Sequence, residues 1–372
     1  MWFYGESTRR LDASTIKRYE TVAQVFVKHQ GNVKGVVVFT HKEYYNFLKK
    51  EVAADTLALI KKHYLVGVHF GWYHKDPELC DFVDFLLASE GTVEFTHECP
   101  VPRLKMSSRN FVSERFDNST NTTRFWDIAC ISRDAKFKNL DKFLVSIRKL
   151  FDEYGPCKVA LVSTGQTSKV RDASFFYADL ISDYYEMFSE EERDSFVLIR
   201  PDTALGSGGI NETFIAFLLA NSKVLTLFST LEGDTRVPSE GLLSGCKVVV
   251  SKHLKGGGTD LLTDYNSVQF DRFDEAHEAL HAAVASHESY TLKEEDRLQV
   301  YEKESIKRVV AFLKSLYPQD VDTSQLTFIN TNSLSRRLPG HFHDVPWING
   351  RENTADITTF KQLETFMSYC QV

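Results

Sequence analysis

Two glutamates, Glu232 and Glu240, stand with seven residues between them in the stretch EGDTRVPSEGLLSGCKVVVS. Residues 223–229 (KVLTLFS) just before them form a short apolar, β-rich run, which predicts a buried strand. A short helix should follow. Pro238 sits where a first-turn proline is tolerated and Gly245 where a terminating glycine is expected, and residues 248–251 predict the next strand. The first carboxylate then lies on a loop at the carboxyl end of a strand and the second on the helix after it. That edge is where open α/β sheets bind ligands. The free N–H groups at the helix start, from Thr235 through Arg236 to Val237, suit a phosphate. Two glutamates at this spacing are common in an acidic chain, and spacing alone leaves both as solvated surface charges. The small, turn-forming residues around them, set between two apolar strands, favour a site.

Four blocks in order resemble the donor domain of retaining GT-B glycosyltransferases of the E-x7-E group. They are the strand and glutamate pair itself; residues 125–144 (FWDIACISRDAKFKNLDKFL), a strand followed by Arg133, by Lys138 five positions later and by an amphipathic helix; residues 210–224 (INETFIAFLLANSKV), the helix before the glutamate strand; and residues 255–263 (KGGGTDLLT), a Gly-rich turn with an acidic residue. The resemblance spans about residues 125–284. It implies two Rossmann-like doubly wound α/β domains facing a cleft, with a C-terminal segment crossing back to the first. It implies a nucleoside-diphosphate sugar as donor substrate and no cofactor. Arg133 and Lys138 would neutralise the leaving diphosphate in place of a metal. Glu240 would accept hydrogen bonds from the ribose. Glu232 would contact donor-sugar hydroxyls and stabilise positive character at the anomeric carbon without forming an enzyme-linked sugar. One departure stands out: after Glu232-Gly233 the family usually carries aromatic or small apolar residues, and this chain carries Asp234, Thr235 and Arg236.

Further candidates lie outside these blocks. His69 closes the strand-like LVGVH, where the resemblance implies contact with the donor sugar; a half-buried structural histidine is the alternative, and His74 is its neighbour candidate. Gly5 either allows close backbone approach to a ligand or makes a plain turn. The loop 206–209 lines a base pocket with Arg200 or is a flexible connection. Asp320 and Asp322 form a DxD-like pair with no matching strand context and read as surface acids, as do the charges around Arg336, His341 and His343.

The chain's 372 residues, 42% of them apolar, suit two domains with substantial cores. No window is long and apolar enough for a spanning helix and no secretory signal is seen, which, with scattered cysteines in no metal-ligand spacing, predicts a cytoplasmic protein. The net charge of −7 argues against nonspecific binding to long nucleic acid. A basic first-domain cleft from Arg9, Arg10, Arg103, Lys105 and Arg109 would suit the rival acceptor, a modified nucleic acid base. Other rivals are a sugar-nucleotide epimerase and a non-catalytic nucleotide-sugar-binding module. The favoured acceptor is a glycan or glycolipid, with peripheral membrane contact left open.

Stepping along the chain, strands are expected at 2–4, 35–40, 65–70 and 92–96, with helices at 15–28, 42–50, 55–63 and 77–88, all in a short first domain, 1–122. Residues 100–123, with a short strand at 110–112, read as the linker. The donor domain, 123–317, is expected to hold strands at 125–131, 158–163 and 195–200 and helices at 141–154, 173–188, 274–286 and 293–317. A tail, 318–372, is expected to pack on the first domain.

Overall fold

The computed structural model describes residues 23–27, 32–40, 54–71, 73–89, 92–118, 123–164, 177–200, 212–256 and 258–319. The chain divides into two compact units: Met1–Phe111 with Glu302–Val372, and Val112–Tyr301.

The first unit is built on β1 (Ala23–Val27), β2 (Gly35–Thr40), α1 (Ala54–His63), β3 (Tyr64–His69), β4 (His74–Lys75), β5 (Phe85–Leu87), β6 (Val93–Glu94) and β7 (Arg103–Leu104). Its main sheet runs β1-β2-β3-β5-β7, while β4 and β6 pair separately. Strands β2, β3, β5 and β7 are parallel. The uninterrupted apolar runs GVVVFT and YLVGVH suit strands buried on both faces, and Val36, Val37, Phe39, Val66 and Val68 are fully buried.

Three expectations fail here. The helix expected at 15–28 contains, over its described part, strand β1, antiparallel to β2; the β-favouring AQVFV outweighs the helical spacing read across it. No helix forms at 77–88: only its end is regular, as strand β5, whose Phe85, Leu86 and Leu87 are all fully buried and leave no polar helix face there. The segment 100–123 does contain a crossing between the units, at Phe111–Val112, but it is packed rather than a polar, turn-rich connection: β7 joins the sheet, and Met106, Phe111, Val112 and Phe116 are core residues.

The second unit holds β8 (Trp126–Arg133), α2 (Leu140–Tyr154), β9 (Val159–Thr164), α3 (Leu180–Met187), α4 (Glu190–Arg193), β10 (Phe196–Ile199), α5 (Glu212–Ala220), β11 (Ser222–Leu227), α6 (Val237–Leu243), β12 (Lys247–Ser251), β13 (Ser267–Phe270), α7 (Ala276–Ala285) and α8 (Glu294–Val300). Its sheet runs β10-β9-β8-β11-β12-β13, all parallel. Counted within the unit this is the doubly wound order 3-2-1-4-5-6, whose direction reverses between β8 and β11. Alternation along the strands divides the core. Ile128, Cys130, Val224 and Val249 face one layer with Phe143, Ile147 and Leu280. Ala129, Leu225, Val248 and Val250 face the other with Ile215, Leu218 and Leu242. The expected helix at 173–188 is described only from residue 177, where α3 begins at Leu180.

Helix α6 ends as its sequence requires. Gly245 has φ +80°, its N–H donates to the Leu242 carbonyl at 2.8 Å, and Cys246 N–H donates to the Gly241 carbonyl at 2.8 Å. This double closure needs a left-handed residue. Gly245→Ala is expected to cost about 1 kcal/mol, measured by denaturant unfolding; unchanged stability would contradict the cap.

The single helix expected at 293–317 is two. It breaks at Tyr301, which is extended (φ −72°, ψ 126°) and bridges Val112 in parallel. The second part, α9 (Glu302–Leu316), belongs to the first unit, where Val309 and Leu313 pack with Val36, Leu65 and Phe85. Tyr317 Oη donates to the Asp84 carbonyl at 2.8 Å. The chain therefore crosses between units at Phe111–Val112 and Tyr301–Glu302, not at the expected 122 and 317, and the return to the first unit begins before the expected tail. The tail itself lies outside the described residues, apart from Pro318 and Gln319.

Candidate functional site

The reversal point of the second sheet lies between β8 and β11, and the loops leaving their carboxyl ends meet there. Arg133 is the last residue of β8, exposed, with no ion-pair partner among the described residues. Five positions on, Lys138 closes a tight turn, and Asn139 enters α2 in the left-handed region (φ +50°, ψ 42°). Asn139 Nδ2 donates to the Phe228 carbonyl at 2.8 Å, tying the first loop to the segment after β11.

The tie brings Lys138 to Glu232. Its ammonium forms an ion pair and hydrogen bond with Glu232 Oε1, and Ser229 Oγ donates to the same oxygen. The Glu232 side chain is 4% exposed and that of Lys138 14%, so the pair lies largely out of water. The main chain holds the glutamate from the other side. Glu232 N–H donates to the Lys255 carbonyl at 2.9 Å and Lys255 N–H to the Thr230 carbonyl at 3.0 Å. Gly256 follows with φ +76°, and a Cβ there would stand 2.3 Å from the Glu232 carbonyl oxygen. Cys130, on β8, is pushed up to about 12 by burial against the pull of Lys138, so it stays a neutral thiol.

Glu240 is buried on α6. Arg236, at the helix entrance, approaches Glu240 Oε1 at 3.2 Å and Glu212 Oε1, on the first residue of α5, at 3.6 Å. Thr235 precedes Arg236, and Val237 packs against the core as the first helical residue. Arg200, just past β10, donates to Asp134 Oδ2 at 3.0 Å. Burial raises the Asp134 carboxyl above its usual range while the Arg200 charge opposes the rise.

In the first unit, His69 is the last residue of β3, in register with Thr40 and Leu87 and fully buried. His74 is half-buried, its ring edge-on to Phe70 at 5.4 Å, and burial lowers its pKa. Arg109 is fully buried and cannot contribute to a basic surface, which removes one member of the expected cluster; Arg103 Nε is committed to the Ala88 carbonyl at 2.9 Å. Gly5, Arg9, Arg10, the loop 206–209, Asp320, Asp322, Arg336, His341 and His343 lie outside the described residues.

Arg133, Lys138, Glu232 and Glu240 thus all lie at or just beyond the carboxyl ends of β8 and β11 in one unit, and the structure pairs Lys138 with Glu232. Sequence reasoning missed Ser229, Asn139 and the role of Gly256. It also missed that Arg236 engages Glu240 through its side chain. That pair was signalled by the four-residue spacing on a helix, and Gly256 by its place in a three-glycine turn. Nothing local signals the hydroxyl of Ser229. The arrangement offers an exposed guanidinium and a largely buried ammonium beside two oriented carboxylates, a set that can hold a polyanion carrying hydroxyl groups.

No family model and no curated protein matches the sequence. Solved structures do. Trehalose-6-phosphate synthase, in a study of glycosyltransfer with retention, is 12% identical, with 77% of this chain and 75% of that one covered and a TM-score of 0.51. The TarM protein of S. aureus, solved with UDP, is 12% identical, covering 75% of this chain and 55% of that one, TM-score 0.49. The pneumococcal O-GlcNAc transferase GtfA, solved with UDP and GlcNAc, is 13% identical, covering 69% and 53%, TM-score 0.46. The chain spans about half the length of the last two proteins. The fold is GT-B, with α/β units built on parallel sheets. Among the described residues no helix is long and apolar enough to cross a membrane.

Proposed function

We propose that this chain is a glycosyltransferase that takes a sugar from a nucleoside-diphosphate sugar with retention of configuration, needs no metal, and delivers it to a glycan or glycolipid acceptor. The observation that carries the reading is the Lys138–Glu232–Ser229 cluster at the reversal point of the second sheet, with Arg133 exposed at the end of the neighbouring strand.

Departure of a nucleoside diphosphate leaves negative charge on a phosphate oxygen. Arg133 offers a planar fork and Lys138 a point charge to meet it, the task a metal performs elsewhere. The N–H groups from Thr235 to Val237 extend that anionic subsite. Glu232 faces the sugar, holding its hydroxyls and countering positive character at the anomeric carbon; one of its oxygens is already engaged by Lys138 and Ser229, which suits orientation and charge rather than attack. Glu240 takes the ribose and Arg200 borders the base. The retention named for trehalose-6-phosphate synthase, a protein of the same fold, agrees with this reading.

The test is a thermal-shift screen against UDP-, GDP-, ADP-, CDP- and dTDP-sugars, followed by transfer assays in EDTA. A bound donor at a hundred times its dissociation constant should add about 2.7 kcal/mol of stability. Transfer should persist in EDTA because the cations are side chains. Loss of transfer in EDTA, restored by Mg²⁺ or Mn²⁺, contradicts the metal-free assignment. Donor conversion with no acceptor present identifies an epimerase, and binding without turnover a binding module.

A further inference from the structure

We infer that Arg236 is a positioning residue that aims the Glu240 carboxylate at the ribose of a bound nucleotide, with Glu212 as the second partner of its guanidinium. The inference rests on the nucleotide-sugar reading above and extends it to a residue at which this chain departs from the family it resembles.

Local helix physics does not explain Arg236. It stands at the N-cap of the seven-residue α6, where a cation meets the positive end of the helix dipole. Its partner Glu240 is one turn towards the C-terminus, the less favourable order for a helix ion pair. Ser, Thr, Asp or Asn would cap better. A local rule broken without local gain marks functional sites more often than structural ones.

The surroundings supply the gain. Glu240 is buried, and a buried carboxylate needs a countercharge to stay ionised. Arg236 provides one at 3.2 Å. A carboxylate has about four acceptor positions, more than a single guanidinium contact takes up. Arg236 is also near a second acid from a different helix. Glu212 Oε1 lies 3.6 Å away, is buried, and accepts no hydrogen bond. The other oxygen of Glu212 faces Arg115 at 3.5 Å. The guanidinium thus stands between α5 and α6, closer to Glu240, with an open acceptor on its other side. When ribose hydroxyls donate to Glu240, the Arg236 guanidinium keeps an acid on either side of it.

The experiment compares the affinities of UDP, ADP and GDP with those of their 2′-deoxy counterparts by titration calorimetry, following the base that binds best. Wild type is expected to prefer the ribose form by about tenfold or more, the scale of a hydrogen bond to a charged group. Arg236→Met should bring the two affinities to within about twofold of each other while diphosphate binding persists. Arg236→Lys should restore part of the preference, and Arg115→Ala, at the exposed end of the chain of charges, should leave it unchanged. A folded Arg236→Met protein that keeps the full preference overturns the inference. If that variant does not fold, Glu212→Gln serves instead: it should lower the preference, and an unchanged ratio overturns the inference equally. The two layers fail separately. If wild type shows no ribose preference, or binds no diphosphate, the nucleotide role of Glu240 falls and Arg236 falls with it. If Glu240→Gln abolishes the preference and the Arg236 and Glu212 variants do not, only the positioning role falls.

Discussion

Lys138→Met is expected to destabilise the second unit and to disable the site. Removing one partner of a buried ion pair leaves the other charge without compensation, at a cost of about 3–5 kcal/mol. Here the stranded group would be Glu232, the less exposed of the two, with Ser229 as a hydroxyl donor to it and no other countercharge among the described residues. On the proposed reading the same substitution also removes a cation from the leaving diphosphate, for which the loss is about 2–4 kcal/mol in transition-state stabilisation. The two effects separate in the double variant Lys138→Met/Glu232→Gln. It should regain most of the lost stability, because neither charge is left alone in the interior, and it should remain inactive. Denaturant unfolding, donor titration and turnover of the single and double variants together decide the matter. Wild-type stability and donor affinity in Lys138→Met would sink the assignment of the pair as both structural and functional.

Gly256→Ala is expected to strike the site through the backbone alone. At φ +76° any side chain is strained, and this one would point at the Glu232 carbonyl oxygen from 2.3 Å. That neighbour is main chain, held by the hydrogen bond between Glu232 N–H and the Lys255 carbonyl, and cannot swing aside as the tip of a long side chain would. Strain of about 1–3 kcal/mol follows, relieved by displacing the segment that carries Glu232. A shift of about 1 Å in a positioned group costs on the order of a hundredfold in rate. Turnover should therefore fall steeply, while affinity for a bare nucleoside diphosphate, which the proposed reading assigns to Arg133, Lys138 and Glu240, changes little. Equal loss of both would point to general unfolding; loss of neither would remove Gly256 from the site.

What the sequence disclosed depended on how far each signal reached along the chain. The strand, short helix and strand around Glu232 and Glu240 were legible because proline, glycine and two apolar runs punctuate them locally: Pro238 falls in the first turn of α6, and β12 lies within one residue of its expected bounds. The carboxyl-edge position of both glutamates and of Arg133 follows from that. The pairing of Lys138 with Glu232 was not legible, because 94 residues separate them and only the strand order brings β8 beside β11. In the first unit the apolar run ending at Leu87 was taken for a helix because its spacing allows either structure, and only its place between β3 and β7 decides. The break at Tyr301 escaped notice because residues 293–317 read as one helical pattern. It is imposed from outside, by the strand-like bridge to Val112.

That bridge bears on how the protein is made. The second unit is one continuous stretch, Val112–Tyr301, inserted into a first unit whose two parts precede and follow it. During synthesis all its strands emerge before Val309 and Leu313, which complete the core of the first unit. Domains fold as units as they leave the ribosome, so the inserted one should finish first and the one that starts the chain should finish last. Until α9 arrives, the faces of Val36, Leu65 and Phe85 that it will cover stay open, the interval in which a chaperone would find this protein. The ends of the inserted stretch lie side by side, with Val112 N–H donating to the Val300 carbonyl at 2.9 Å. An excised segment of residues 112–301 is therefore the piece of this chain best suited to fold by itself, and its two ends can be joined by a short linker.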